Sequence, residues 1–310
     1  MKNKIVLLPT LFYFIFFYSQ LPHASNLETD LKVSDGYRVD HFDWNIAGDI
    51  NGQNPNILSE LTWKDLEINE IKGEEQILIH KKILLKGSIA YGWILDGKNQ
   101  DSDFAGDDRT LEFSRSINGA GGGNTLDGSL GAGLQWHFFK GNLSLTPLGG
   151  YSYHEQNLRI GDGIEFIPTS DSIVSIPLTG PTDTYDTQWK GPWIGLDLVT
   201  QPTEKITLSL EFQYHWADYE AVADWHMRED FAHPVSFRHE ADGNGIVFSM
   251  GTNYALSHHG SIFFNIGFEQ WSTDPGIDHT FVSDGTVEDY RLNEVNWKSL
   301  VMRLGLGFHF

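Results

Sequence analysis

The sequence predicts an all-β chain folded as a ten-stranded antiparallel transmembrane β-barrel of the outer-membrane type, with long extracellular loops. Three observations predict it. Apolar residues fill every second place in run after run, the period of a strand with one apolar face. Tight turns alternate with long acidic connections, as they do at the two ends of an outer-membrane barrel. The chain closes on Leu300, Met302, Leu304, Leu306, Phe308 and Phe310, and a C-terminal phenylalanine on the last strand is common in such barrels. A soluble sandwich also alternates; the pattern of connections decides against it.

From the start of the chain, Lys2 and Lys4 precede an apolar run from Ile5 to Tyr18, and small residues follow at Ala24 and Ser25. That is the layout of a secretory signal peptide, expected over residues 1–24, with one barrel domain over 25–310. The apolar run is short for a spanning helix, so a retained anchor is the lesser reading. Removing Lys2 and Lys4 from 21 basic residues leaves 19 against 42 acidic ones, a net charge of −23. This excess argues against nucleic acid and favours cationic partners. There is no cysteine, so no disulfide holds an exported chain.

Strands are expected at 36–47, 57–79, 82–95, 124–139, 143–161, 185–200, 205–226, 237–256, 260–273 and 295–310. The connections HKK, KGN, PTEK and SHHG are tight; the others are long and rich in Gly, Asp, Asn and Pro. An even strand count puts both termini in the periplasm. The segment from Lys205 to His226 is the most regular. Ile206, Leu208, Leu210, Phe212, Tyr214 and Trp216 alternate, and the apolar series then changes phase to Tyr219, Ala221, Ala223 and Trp225. A β-bulge near Ala217 and Asp218 is the expected cause, turning Asp224 and His226 inward. The segment is roughly 70 Å long at about 3.3 Å per residue. Tilted, it rises roughly 50 Å against an apolar band of about 25 Å, so Asp224 and His226 are expected at the extracellular rim.

Two acidic clusters belong to that rim: NQDSDFAGDD, with Asp101 and Asp103, and ADWHMRED, with Asp224 and His226. Each triplet alone is a weak signal, because a chain this acidic yields such matches by chance. Their shared end of the barrel gives them weight. A histidine held by a carboxylate is a general base, and two neighbouring carboxyls share a proton because like charges raise one pKa. A water between Asp101/Asp103 and Asp224/His226 would suit peptide hydrolysis. The same four residues are also ordinary metal ligands, and a metal site is the less favoured alternative.

The sequence resembles the omptin family of outer-membrane aspartyl proteases. The resemblance rests on SELTWK (59–64), YGW (91–93) before the Asp101/Asp103 pair, GGYSY (149–153), TQWKGPWIGL (187–196), FQYHW (212–216) before Asp224/His226, and the LGLGFHF ending. It implies an endopeptidase whose catalytic set is Asp101, Asp103, Asp224 and His226, acting on basic peptides or proteins, without a metal or other cofactor, and as a monomer. It further implies an acid two residues before the dyad aspartate, where this chain has Val222; Glu220 or Asp218, on the same strand face, could compensate. It implies lipopolysaccharide dependence through wall arginines, whose places fall on Glu155 and Gln188, with Arg159 the nearest substitute. Two other readings stand beside it. One is a non-enzymatic adhesin or surface-interaction barrel; the other, a lipid-modifying barrel enzyme, lacks a candidate nucleophile at membrane height.

Overall fold

A computed structural model describes residues 27–310; the expected signal peptide lies outside the described residues. The described chain is strand almost throughout: β1 (Leu27–Ile46), β2 (Ser59–Ile79), β3 (Ile83–Gly106), β4 (Thr110–Gly119), β5 (Asn124–Leu134), β6 (Trp136–Phe138), β7 (Leu143–Ile160), β8 (Gly163–Pro168), β9 (Ile173–Leu178), β10 (Asp183–Thr203), β11 (Ile206–Asp224), β12 (Phe237–Ala255), β13 (Gly260–Thr273), β14 (Gly276–Phe281) and β15 (Val287–His309). All pairings are antiparallel, and they return on themselves. The ring of hydrogen bonds passes through β1, β2, β3, β5, β7, β10, β11, β12, β13 and β15, and β15 pairs β1 again.

The strands are longer than their alternating cores. β3 runs on to Gly106, β15 starts at Val287 and β1 at Leu27. The connections expected as open loops carry strands of their own: β4, β8, β9 and β14. These stand on the ring at the end opposite the chain termini, β4 on β3, β8 on β4, β9 on β8, and β14 on β12 and β15.

The outward positions at the lower level form an exposed apolar band, such as Leu208, Leu210 and Phe212 on β11 and Leu300, Met302, Leu304 and Leu306 on β15. Inside, at the same level, side chains are charged and paired. Arg38 donates to Asp40 at 2.6 and 2.8 Å and to Asp127 at 2.7 Å, and it lies 3.3 Å from Glu70. Arg303 donates to Glu70 at 2.7 Å, and His154 meets Asp127 at 2.8 Å. Above this network the interior becomes aromatic. Trp63, Trp189, Trp271 and Trp297 are almost wholly buried, with Trp271 and Trp297 stacked at 5.6 Å.

Candidate active site at the rim

Asp101 and Asp103 owe their position to paired irregularities in β2 and β3. Lys64 pairs Lys98, Glu67 pairs Asp96, and Ile68 pairs Ile94, so each strand gains one residue at this level. One extra residue exchanges the two faces of a strand. Below it, Leu84, Ala90 and Ile94 are the buried series of β3; above it the inward series is Asn99, Asp101 and Asp103. β2 switches with it, from Ile68 and Glu70 to Ser59, Leu61 and Trp63. Ser59 and Leu61 are therefore the register partners of Asp103 and Asp101.

The two carboxyls line a cavity of about 420 Å³ together with Ser59, Arg228, Asp278 and a wall of Trp44, Trp225, Phe237 and Tyr290. Burial pushes the Asp101 carboxyl well above its ordinary pKa, the neighbouring Asp103 charge adds to the rise, and Arg228 and Ser59 oppose it. Burial also raises Asp103, again against Ser59 and Arg228. Ser59 Oγ donates to Asp101 Oδ1 across 3.5 Å, a long contact. From Asp278, on the cavity lining, a buried relay leads away. Asp278 meets His239 Nε2 at 2.9 Å, His239 Nδ1 meets Tyr185 at 2.8 Å, and Tyr185 meets the Tyr219 hydroxyl at 2.7 Å.

The other half of the expected set is placed differently. β11 pairs β10 without a register break along Lys190–Thr184, and β12 along its whole length, so the expected bulge near Ala217 and Asp218 is absent. Odd residues from His215 to Ala223 are buried, while Trp216, Asp218 and Glu220 are exposed. The apolar series changes phase because the surroundings change, not because the strand turns. Asp218, Glu220 and Val222 thus lie in the outward series rather than in the cavity, and Glu220 accepts from Lys190 Nζ at 2.8 Å. None of the three lines the 420 Å³ cavity.

Asp224 is the last member of that outward series, where the strand ends. Its Oδ2 lies 3.2 Å from His226 Nε2, and its Oδ1 is 2.7 Å from His233 Nδ1. The two imidazoles stack at 5.7 Å and 17°. Between Asp224 and His226, Trp225 points inward and packs on Phe237. Asp224 and His226 do not line the 420 Å³ cavity; from the same turn it is Arg228 that reaches it.

Sequence reasoning missed two residues beside these groups. Asp183, 3 % exposed at the start of β10, accepts from the Met227 amide at 3.3 Å. Burial raises its pKa, opposed by the Met227 and His226 amides and by the His226 charge, and its own charge is felt by Asp101. Its carboxyl is thus coupled by charge both to Asp101 and to His226. Its signal was present: Asp183 continues the inward series Tyr185, Thr187 and Trp189 by one step. His233 had no such signal, since it reaches Asp224 from the following loop.

Arg159 is on the outer wall of β7 with Glu155, as its spacing implies. It lies 3.6 Å from Asp186, and Glu155 accepts from Tyr153 at 2.7 Å. Among the described residues, no group of three or more His, Asp or Glu side chains is arranged to hold a metal ion.

Among solved structures, the chain is similar to the outer membrane protease OmpT of Escherichia coli. The identity is 14 %, the TM-score 0.77, and the match covers 94 % of this chain and 99 % of that one. It also matches the translocator domain of the autotransporter NalP of Neisseria meningitidis, at 12 % identity, with 97 % and 95 % covered and a TM-score of 0.37. At these identities the OmpT likeness is one of fold. Among curated proteins none matches the sequence. The model of one protein family, described as Pom, Protochlamydia outer membrane protein, matches residues 32–310. Since that match takes in nearly all of the described strands, the chain belongs to the Protochlamydia outer membrane protein family.

Proposed function

We propose that the closed ring is a ten-stranded barrel spanning the outer membrane, and that its outer rim is an endopeptidase acting on exposed basic peptides. The observation that carries this reading is the Asp101/Asp103 pair, brought by paired bulges to one wall of a rim cavity and held there with raised pKa values. Two carboxyls so placed, both raised by burial, take up and share a proton more readily than isolated ones and polarise a water. That water attacks the peptide carbonyl, and the protonated carboxyl steadies the oxyanion. His226 takes the water's proton and returns it to the departing amine as the C–N bond of the tetrahedral adduct breaks; with Nε2 turned to Asp224, Nδ1 is the nitrogen left for the reaction. The likeness of fold to the E. coli protease supports the assignment, and the acidic rim favours cationic substrates.

A second reading, a barrel that binds a partner without cleaving it, is favoured by one observation: Arg228, not His226, faces the Asp pair across the cavity. One experiment separates them. The full chain is folded in membranes with and without lipopolysaccharide and offered peptides with dibasic, single basic and neutral sites. Cleavage should fall roughly a hundredfold or more in Asp101→Asn and His226→Ala, the usual scale of an acid–base group. Cleavage that survives both substitutions sinks the mechanism. Binding without cleavage of any peptide establishes the second reading, and dependence on lipopolysaccharide is read from the same assay.

A further inference from the structure

β9 is the last strand of the sheet that rises above the ring; it pairs β8 on one side and carries no strand on the other. Its sequence is IVSIPL, with no charge, and Ile173, Val174 and Ile176 are 68, 45 and 41 % exposed. The hairpin fixes which backbone groups are free. Thr169 N–H donates to the Ser172 carbonyl at 2.8 Å, so 172 and 169 form a hydrogen-bonded pair, and in an antiparallel ladder such pairs alternate. The register Ile173↔Pro168, Val174↔Ile167, Ser175↔Phe166, Ile176↔Glu165 and Pro177↔Ile164 then turns Val174 and Ile176 towards β8. The amides of Ile173 and Ser175, and the carbonyls of Ile173, Ser175 and Pro177, point to the open side. Pro177, which has no N–H, stands where none is needed for the pairing with β8.

The ground beside that edge is defined by where β11 stops. β8 and β9 rise from β7 and β10 after links of two and four residues. The neighbour of β10 is β11, whose last pair is Asp224↔Thr184. Had β11 continued, it would have run along β9. Instead the chain turns away at Trp225–Arg228. The β9–β10 link touches this turn: a Cβ on Gly180 would lie 3.6 Å from Met227 Sδ. The gap thus opens above Asp224 and His226. Exposed acids stand in the two turns next to it, Asp171 between β8 and β9 and Glu229 in the turn that follows β11, while Asp230 of that turn is paired with Arg228 at 2.7 Å. Edge strands are ordinarily guarded by charge, bulges or covering chain; this one, apart from Pro177, is not.

We propose that the free edge of β9 takes up an extended, positively charged peptide as an added strand, in the gap where β11 ends at Asp224. The peptide main chain answers the two amides and three carbonyls, and its basic side chains meet the exposed acids of the adjoining turns, Asp171 and Glu229. As a means of presenting a substrate to His226 this rests on the endopeptidase reading; as a peptide-binding edge it does not.

The test uses the full chain in detergent and a short synthetic peptide of alternating arginine and valine. Affinity is measured by fluorescence anisotropy on the Asp101→Asn protein, so that cleavage plays no part. Ser175→Pro removes one outward amide and leaves the β8 ladder intact, and should weaken binding roughly five- to tenfold. On the unaltered edge, the same peptide N-methylated at three successive central amides should lose roughly tenfold or more, which keeps the question answerable if the proline variant fails to fold. Equal affinity for the plain and methylated peptides overturns the proposal. So does a folded Ser175→Pro protein that binds as before, or one that has merely lost self-association. Proline-sensitive binding by a chain that cleaves nothing upholds the edge and removes the enzyme; cleavage indifferent to Ser175→Pro does the reverse.

Discussion

Gly97→Ala tests whether the placement of Asp101 and Asp103 depends on the bulge beneath them. Gly97 has φ +158°, in the region that side chains rarely adopt, and a Cβ there would lie 2.6 Å from Leu66 Cδ2 and 3.3 Å from Leu66 Cα. Leu66 is fully buried, so its side chain has nowhere to withdraw. The dihedral costs about 1–3 kcal/mol and the overpacking about 1–3 kcal/mol more. The sum, about 2–6 kcal/mol, is comparable to the whole stability of many domains. The cheapest relief is to lose the irregularity, which exchanges the faces of β3 above it and carries both carboxyls out of the cavity. The substitution should therefore lower the urea midpoint, read by tryptophan fluorescence, and abolish cleavage of a basic peptide although no cavity side chain has changed. A Gly97→Ala protein with an unshifted midpoint and full activity would refute the claim that this bulge aims the pair.

Three further outcomes follow from the same geometry. Because burial raises the Asp101 pKa, the folded state holds its proton more tightly than the unfolded chain. Its contribution is therefore complete below the ordinary carboxyl pKa and lost as pH rises through the folded one; Asp101→Asn should be more urea-resistant than the parent near about pH 8 and no more so near about pH 4. Arg228→Gln removes the charge that opposes both rises, so the carboxyl-dependent limb of the pH–rate profile should move to higher pH, whereas an unmoved limb would separate Arg228 from the pair. Arg38→Met leaves Asp40 without its cation and strips Glu70 and Asp127 of one; stability should fall by about 3–5 kcal/mol in denaturant titration.

Much of the ring was legible because the membrane writes a strict alternation into β11, β12, β13 and β15. Asp101, Asp103, Asp224 and His226 were legible as two acidic clusters at one end. What misled was the assumption that the apolar face of a strand is always the same wall. Nearer the chain termini the apolar side of β11 is outside, Leu208 to Trp216; above it the apolar side is inside, Tyr219 to Ala223. A straight strand whose surroundings change along its length reads as though it had been bulged. The true bulge was hidden in β3, where Asp96, Gly97 and Asn99 look like turn residues but continue the strand. β9 was hidden for a related reason: six residues within a long connection, one of them proline, carry too short a pattern to stand out.

The distribution of packing within the ring also decides where function can reside. A conducting barrel needs a continuous aqueous path, and here the interior is layered. Towards the chain termini lies a cavity of about 390 Å³, extended upward by one of about 90 Å³ that shares Glu74, Glu211 and Asn265 with it, and neither shares a lining residue with the rim cavity of about 420 Å³. Between them stand the near-parallel rings of Trp271 and Trp297, with Trp297 Nε1 bonded to Asp40 at 3.0 Å, and beneath these the Arg38–Glu70–Arg303 network. Opening a path would strip partners from buried charges, at a cost of several kcal/mol for each one left unpaired. On the proposed reading, the packed layer between the cavities separates the rim, with its carboxyl pair, the two histidines on Asp224 and the bare edge of β9, from the end that carries the chain termini.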